Sequence, residues 1–239
     1  LQRNIVILAG YGKIEAAGSD TGGLIVIMDN FTVEDWGLID HGAAVKRQRA
    51  VVQEVIAGAS QRLIFCEHPP VLTLGRMFTP ESFLYTREDI LSRGVSIVPV
   101  DRGGDVTLHA PGQLIVYVVA DLNRYGRDLK AYLEHIEEVA VDLLKDFDIL
   151  AMSMPGQRGV FTDRNKIISI GVGVRRWVTY HGLGINVNTD LSLFDLIRPC
   201  GLDVKMTSIA KIKGTPVAMD DVKEKFTRHF CRRFGASDG

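Results

Sequence analysis

Apolar residues recur every three to four positions over two long stretches of this chain, and in short uninterrupted runs over several others. After Asp128, residues Leu129, Tyr132, Leu133, Ile136, Val139, Ala140, Leu143, Leu144 and Phe147 share one face at helical spacing, the signature of a helix packed on one side. Asp40 to Gly58 predicts a second helix through Ala44, Val45, Val52, Val55 and Ile56, with Asp40 as N-cap and Gly58 as the stop. A third amphipathic helix is predicted over about Asp220 to Phe234. Leu63–Phe65, Val95–Val100 and Gln113–Ala120 read as strands, the last following the Pro111–Gly112 turn. The prolines after His68 enforce an extended path through Arg76. Lys166–Arg175 and Trp177–Val187 read as two strands joined around Arg175–Arg176. Asp190 begins a short helix that Pro199 must end, leaving Cys200 at a helix-to-loop junction. Hairpin-clustered strands with few helices predict an α+β fold, a mixed β-sheet with packed helices and not a doubly wound parallel sheet.

Composition narrows the class. With 239 residues, 46% hydrophobic and 24% charged, the chain is long enough to bury a sizeable core as one domain. Residues 28–239 are expected to form that domain. Residues 1–27 stand apart as an extension, a tag remnant or an edge strand, with Met28 available as an initiator. A formal net charge of -1 argues against nucleic acid or anionic membrane as partner. No apolar run approaches the roughly 20 residues that span a bilayer, and no signal peptide is visible. The three cysteines, Cys66, Cys200 and Cys231, read as reduced thiols of a cytoplasmic protein. Without Cys-x-x-Cys and with scattered histidines, the chain is expected to bind no metal and to use no cofactor.

Chemistry concentrates in two segments. Cys200 lies between Pro199 and Gly201, where the chain turns and the backbone is open, whereas Cys66 follows a buried strand and Cys231 lies inside a helix. A cation near Cys200 would enrich the reactive thiolate. Lys166 is the candidate, because it opens the apolar strand Ile167–Gly171 after the turn at Asp163–Asn165. Arg102, Gly103, Gly104, Asp105, Val106, Thr107, Leu108 and His109 form the other segment. Its glycines let backbone N–H groups face a ligand, and Arg102 either holds an anion or braces a tight turn. His109 and His181 either touch a reacting group or are hydrogen-bonded core residues. Basic clusters at Lys46–Arg49, Arg175–Arg176 and Lys205–Lys213 are solvated faces or docking points for an acidic carrier.

From Asp35 to Ala210 these segments, with His68-Pro-Pro-Val71, Pro111-Gly-Gln113, Lys166-Ile-Ile-Ser-Ile-Gly171 and His181-Gly-Leu-Gly-Ile-Asn-Val187, resemble the lipoyl(octanoyl) transferase family. The resemblance implies the fold of biotin- and lipoate-protein ligases. It implies an acyltransferase that moves octanoyl from octanoyl-acyl carrier protein to a lysine of lipoyl domains, those of 2-oxoacid dehydrogenases and the glycine cleavage system H protein. By resemblance, Cys200 is the acyl-thioester nucleophile and Lys166 its pKa-lowering acid/base partner. Arg102–His109, Ser169, Ile170, Gly171, His181, Gly182 and Leu183 would line the substrate pocket. Leu108, Ala110 and His41 depart from the family's usual tyrosine, glycine and tyrosine, which bears on pocket shape and acyl length. The apolar strands Leu114–Val119 and Ile167–Val174 are the expected walls of an acyl slot. Three rivals are an ATP-dependent ligase, an amidotransferase between lipoyl domains and a non-catalytic carrier-binding module. The first would need a nucleotide loop that the sequence lacks.

Overall fold

Asp40 accepts a hydrogen bond from the backbone N–H of Ala43, and Gly58 adopts φ +99°, so the first predicted helix starts and stops as its capping residues dictate. In this computed structural model, residues 31–198 and 204–235 are described, together with the backbone of 25–28. In chain order the elements are β1 (Ile25–Met28), β2 (Phe31–Leu38), α1 (His41–Ile56), β3 (Gln61–Glu67), β4 (Val71–Leu74) and α2 (Arg87–Ser92). Then come β5 (Ser96–Pro99), β6 (Val106–His109), β7 (Gln113–Val119), α3 (Leu129–Lys145), β8 (Met152–Met154) and β9 (Gln157–Thr162). The chain continues through β10 (Asn165–Arg175), β11 (Val178–Asn186), α4 (Ile209–Lys213) and α5 (Met219–Phe234). The helix after Asp190 is a 3₁₀ turn, Leu191–Leu196, that ends before Pro199.

Eight strands form the main sheet, in the order β1-β2-β3-β7-β11-β10-β9-β8, and β5-β4-β6 form a second. Each contains one parallel pair, β2 with β3 and β4 with β5, among antiparallel ones. The fold is therefore α+β with mixed sheets, as expected. β1 pairs with β2 through Ile25–Met28, so the break placed after residue 27 falls inside a paired strand. No helix among the described residues is long and apolar enough to cross a membrane.

The sheet is buried on both faces, and alternation along its central strands shows how. In β7, Leu114, Val116 and Val118 join a core with α3 and α5, while Ile115, Tyr117 and Val119 join a second core beneath α1. β3 divides the same way, with Leu63 and Phe65 on one side and Ile64 and Cys66 on the other. The small sheet has its own core, in which Leu72, Leu74, Val106 and Leu108 meet Ile90 and Phe194. Both turns into and out of β10 place non-glycine residues in the left-handed region: Asp163 and Arg164, then Arg176 and Trp177. Positive φ at both central residues is what a two-residue hairpin loop needs to follow the strand twist.

Candidate active site

Directly opposed residues of antiparallel strands share a face. Ser169 opposes Gly184, Gly171 opposes Gly182, and Gly182 opposes Tyr117. On the side away from α3 and α5, the sheet thus presents small residues framed by Ile115 and Tyr117. The second sheet and the loop before β6 close over this floor. A cavity of about 480 Å³ remains between them.

The loop lies directly on the floor. Gly103 N–H donates to Val172 O at 3.0 Å. A Cβ at Gly171 would come within 3.1 Å of both Gly103 O and the Arg102 side chain, so this close approach requires glycine. The Arg102 guanidinium is buried and donates to Thr73 O and Oγ1 at 2.8 Å and to Gly103 O at 3.0 Å. It braces the loop against β4 and at the same time lines the cavity. Asp105 accepts from the Ser82 hydroxyl at 2.6 Å. Ser82 O in turn accepts from Arg198 N–H at 2.8 Å.

Lys166 lies at one end of the cavity, 3% exposed. Its ammonium is 5.5 Å from the Phe161 ring centroid, within range of a cation–π contact. Room for the side chain comes from Gly159, at φ +125°, where a Cβ would lie 2.7 Å from Lys166 Cε. The lysine's backbone is pinned on both sides: its N–H donates to Lys205 O and its carbonyl accepts from Thr207 N–H, each at 2.9 Å.

The other end is built of histidines. His41, His68 and His109 lie with ring centroids 5.2 to 6.3 Å apart. His68 donates from Nδ1 to Ile39 O at 2.8 Å, so its Nε2 accepts the Tyr117 hydroxyl at 2.7 Å. His109 Nδ1 donates to Gln113 Oε1 at 2.7 Å. The Gln113 amide then donates to Asn186 Oδ1, and Asn186 to Thr207 O. A buried relay therefore joins His109 to the segment that holds Lys166. Burial and then the neighbouring His68 push His41 down to about 4. Burial and then the Arg102 cation push His181 down to about 3. Burial also lowers His68 and carries His109 well below the imidazole range. All four rings are neutral at pH 7. Among the described residues no such cluster is arranged to hold a metal ion.

Of the residues expected at the site, Arg102–Asp105, Thr107, His109, Lys166, Ser169–Gly171 and His181–Leu183 line this one cavity. Val106 and Leu108 do not. They alternate with Thr107 and His109 on β6 and point into the small sheet's core, both at 0% exposure. The departure at Leu108 therefore belongs to the core and not to the pocket surface, and Ala110 is buried there too. The slot walls need the same correction. From the two proposed strands only Ile115, Tyr117 and Ser169–Val172 reach the cavity, while Leu114, Val116 and Val118 face α3 and α5. Cys200 lies outside the described residues. Cys66 is buried, and its thiol is driven up by burial and by Asp35, which suits a core residue. Lining residues that were not expected include Thr73 and Met77, Gln157 and Arg158 of β9, and Leu129 and Leu133 of α3. The 3.6-residue pattern marked the two leucines as core positions without revealing that the stripe extends to a cavity.

The chain matches the lipoyl protein ligase A/B catalytic domain over residues 40–231. It is 42% identical over 200 residues to an octanoyltransferase of Geobacter metallireducens, covering 83% of this chain and 91% of that one. Among solved structures it is similar to lipoate-protein ligase A bound with ATP, with a TM-score of 0.67 at 16% identity, over 87% of this chain and 86% of the other. It is also similar to the biotin protein ligase of Aquifex aeolicus in complex with biotin and ATP, with a TM-score of 0.52 at 13% identity, over 86% and 70% of the two chains. Low identity with a shared architecture fixes the fold as that of the biotin and lipoate ligases; the extent and identity of the sequence match decide the family, and this chain belongs to the octanoyltransferases of the lipoyl protein ligase A/B catalytic domain family.

Proposed function

We propose that this enzyme moves an octanoyl group from acyl carrier protein to a lysine of a lipoyl domain through a thioester on Cys200. The observation that supports this most is the setting of Lys166. It is buried at the cavity end, and its backbone is bonded to Lys205 and Thr207. Full extension allows at most about 18 Å between Cys200 and Lys205. On the other flank, Arg198 is bonded to Ser82 beside the cavity residue Asp105. These flanking bonds support the pairing of Cys200 with Lys166 that the acyl-enzyme reading requires.

In the first half-reaction the Cys200 thiolate attacks the donor's thioester carbon, and the bond to the carrier's sulfur breaks. Lys166, as the ammonium, stabilises the Cys200 thiolate and then protonates the departing sulfur. In the second, the acceptor's amine attacks the acyl-cysteine and gives its proton to the now neutral Lys166. The amide forms as the Cys200 thiolate leaves. One thioester is exchanged for another and then for a more stable amide, so no nucleotide is consumed. The glycine floor with Ile115 and Tyr117 receives the hydrocarbon chain, each buried methylene contributing about 0.8 kcal/mol. The acceptors would be lipoyl domains of 2-oxoacid dehydrogenases and the glycine cleavage H protein, in the cytoplasm, where thiols stay reduced.

Intact-mass measurement after mixing with octanoyl-acyl carrier protein, without acceptor, tests this directly. The expected result is a gain of one octanoyl group, absent in Cys200→Ala and released by hydroxylamine. Transfer to a lipoyl domain that survives in Cys200→Ala would remove the acyl-enzyme from the mechanism.

A further inference from the structure

A second cavity, of about 790 Å³, opens between α1, the end of β5 and the hairpin of β10 and β11. It is a separate space from the one that holds Lys166, yet His41, Val100 and His181 line both. We propose that His41 and His181 form the partition that limits the length of acyl chain the enzyme accepts, and that the cavity behind them would take the tail of a longer chain if the partition were opened. This rests on the octanoyl-transfer reading and adds to it a residue pair that decides specificity.

Position along the sheet places the pair beside the glycine floor: His181 opposes Val172, the residue after Gly171 on β10. The partition is firmly held. His41 is the first residue of α1, directly after the cap Asp40, and its ring packs edge-on to His68 and stacks on His109. His181 takes φ +60° within a strand, a conformation that non-glycine residues rarely adopt and that marks a locally imposed geometry. Its ring packs against Tyr117 and Tyr180. Both histidines are more than nine-tenths buried. His41 Nδ1 has no hydrogen-bond partner among the described residues, nor has the buried Gln48 Nε2 one helix face along. Val45 and Val52 on α1 and Val98 of β5 supply apolar wall to the second cavity, whose lining also includes Arg49, Asp101 and Arg175, so a hydrocarbon tail that passed the histidines would bury against the valines.

The experiment compares kcat/KM for octanoyl-, decanoyl- and dodecanoyl-acyl carrier protein in the wild type and in His41→Ala. The dodecanoyl-to-octanoyl ratio is expected to rise at least tenfold, with a ceiling of roughly fourfold for each methylene newly buried. Adding Val45→Trp, which refills the second cavity, should return the ratio toward the wild-type value. A folded His41→Ala enzyme with an unchanged ratio overturns the partition. Should His41→Ala fail to fold, His41→Trp, which thickens the wall, is expected to shift preference toward hexanoyl; an unmoved preference there is equally fatal. Octanoyl transfer by the wild type without any response to these changes defeats the partition alone, whereas a wild type that transfers no acyl group defeats it together with the transfer reading.

Discussion

The two ends of the cavity bury ionisable groups by opposite means. At the lysine end, a glycine clears space for one long side chain whose ammonium lies near the Phe161 ring, and the backbone on both sides of it is hydrogen-bonded. At the histidine end, the rings pack on one another, several of their nitrogens are held to fixed partners, and burial strips them of charge. On the proposed mechanism, the first end would supply the proton carrier and the second a wall of fixed shape for the hydrocarbon tail, so that chemistry and length selection would fall to regions that share one floor.

The largest effect expected from this division is at Lys166. Replacing it by alanine should lower the rate of acyl transfer by roughly 10²–10⁴-fold, the range of a lost general acid/base, measured as single-turnover transfer to a lipoyl domain. The same variant should raise the pH at which iodoacetamide labels Cys200; an unaltered labelling profile would separate the lysine from the thiol. Next in size is Leu108→Ala, which should cost about 2–5 kcal/mol of stability in urea titration as a core truncation. KM for the octanoyl donor should stay put, and a changed KM would return Leu108 to the pocket. Gly159→Ala introduces a Cβ 2.4 Å from Ile168 O and 2.7 Å from Lys166 Cε, at a φ that favours glycine. It should cost about 1–3 kcal/mol and also slow transfer, since the lysine must give way. Loss of stability with full activity would mean that the lysine's placement is tolerant.

A further effect concerns pH. His41 titrates at about 4 and His181 at about 3 in the folded protein, against about 6.5 in the unfolded chain. Between these values the unfolded state binds protons that the folded state refuses. Stability therefore falls as pH drops from about 6.5 toward 4, and further toward 3 through His181, while neither group contributes above 6.5. Urea midpoints across that window should decline, and His41→Gln should flatten the decline; an equal slope in both proteins would mean that His41 is not the group responsible.

How legible all this was in the sequence varied by element. The caps at Asp40 and Asp128 and the face of α3 needed only local rules, and the structure bears them out. β2 was missed because Glu34 and Asp35 interrupt its apolar pattern. Those carboxylates are answered by Arg62 and Lys223, far off in the chain. β8 and β9 were hidden by Pro155, Gly156 and Gly159, and Gly159 matters through a lysine on the next strand. Strand alternation in β6 was readable and would have separated Thr107 and His109 from Val106 and Leu108. The Gln113–Asn186 bond spans 73 positions, and no local pattern points to it. The basic run Lys46–Arg49 also divides once folded: Arg47 pairs with Glu34 over the Trp36 ring, and Arg49 lines the second cavity.

The backbone bonds that tie Lys166 to Lys205 and Thr207 also bear on when its site is complete. β10 can pair with β9 and β11 as soon as that hairpin region is made, because those partners are near neighbours in sequence. The bonds around Lys166 need Lys205 and Thr207, and closing the loop between them costs entropy before those bonds repay it. The lysine's backbone is thus held on both sides only when the chain through residue 207 is in place.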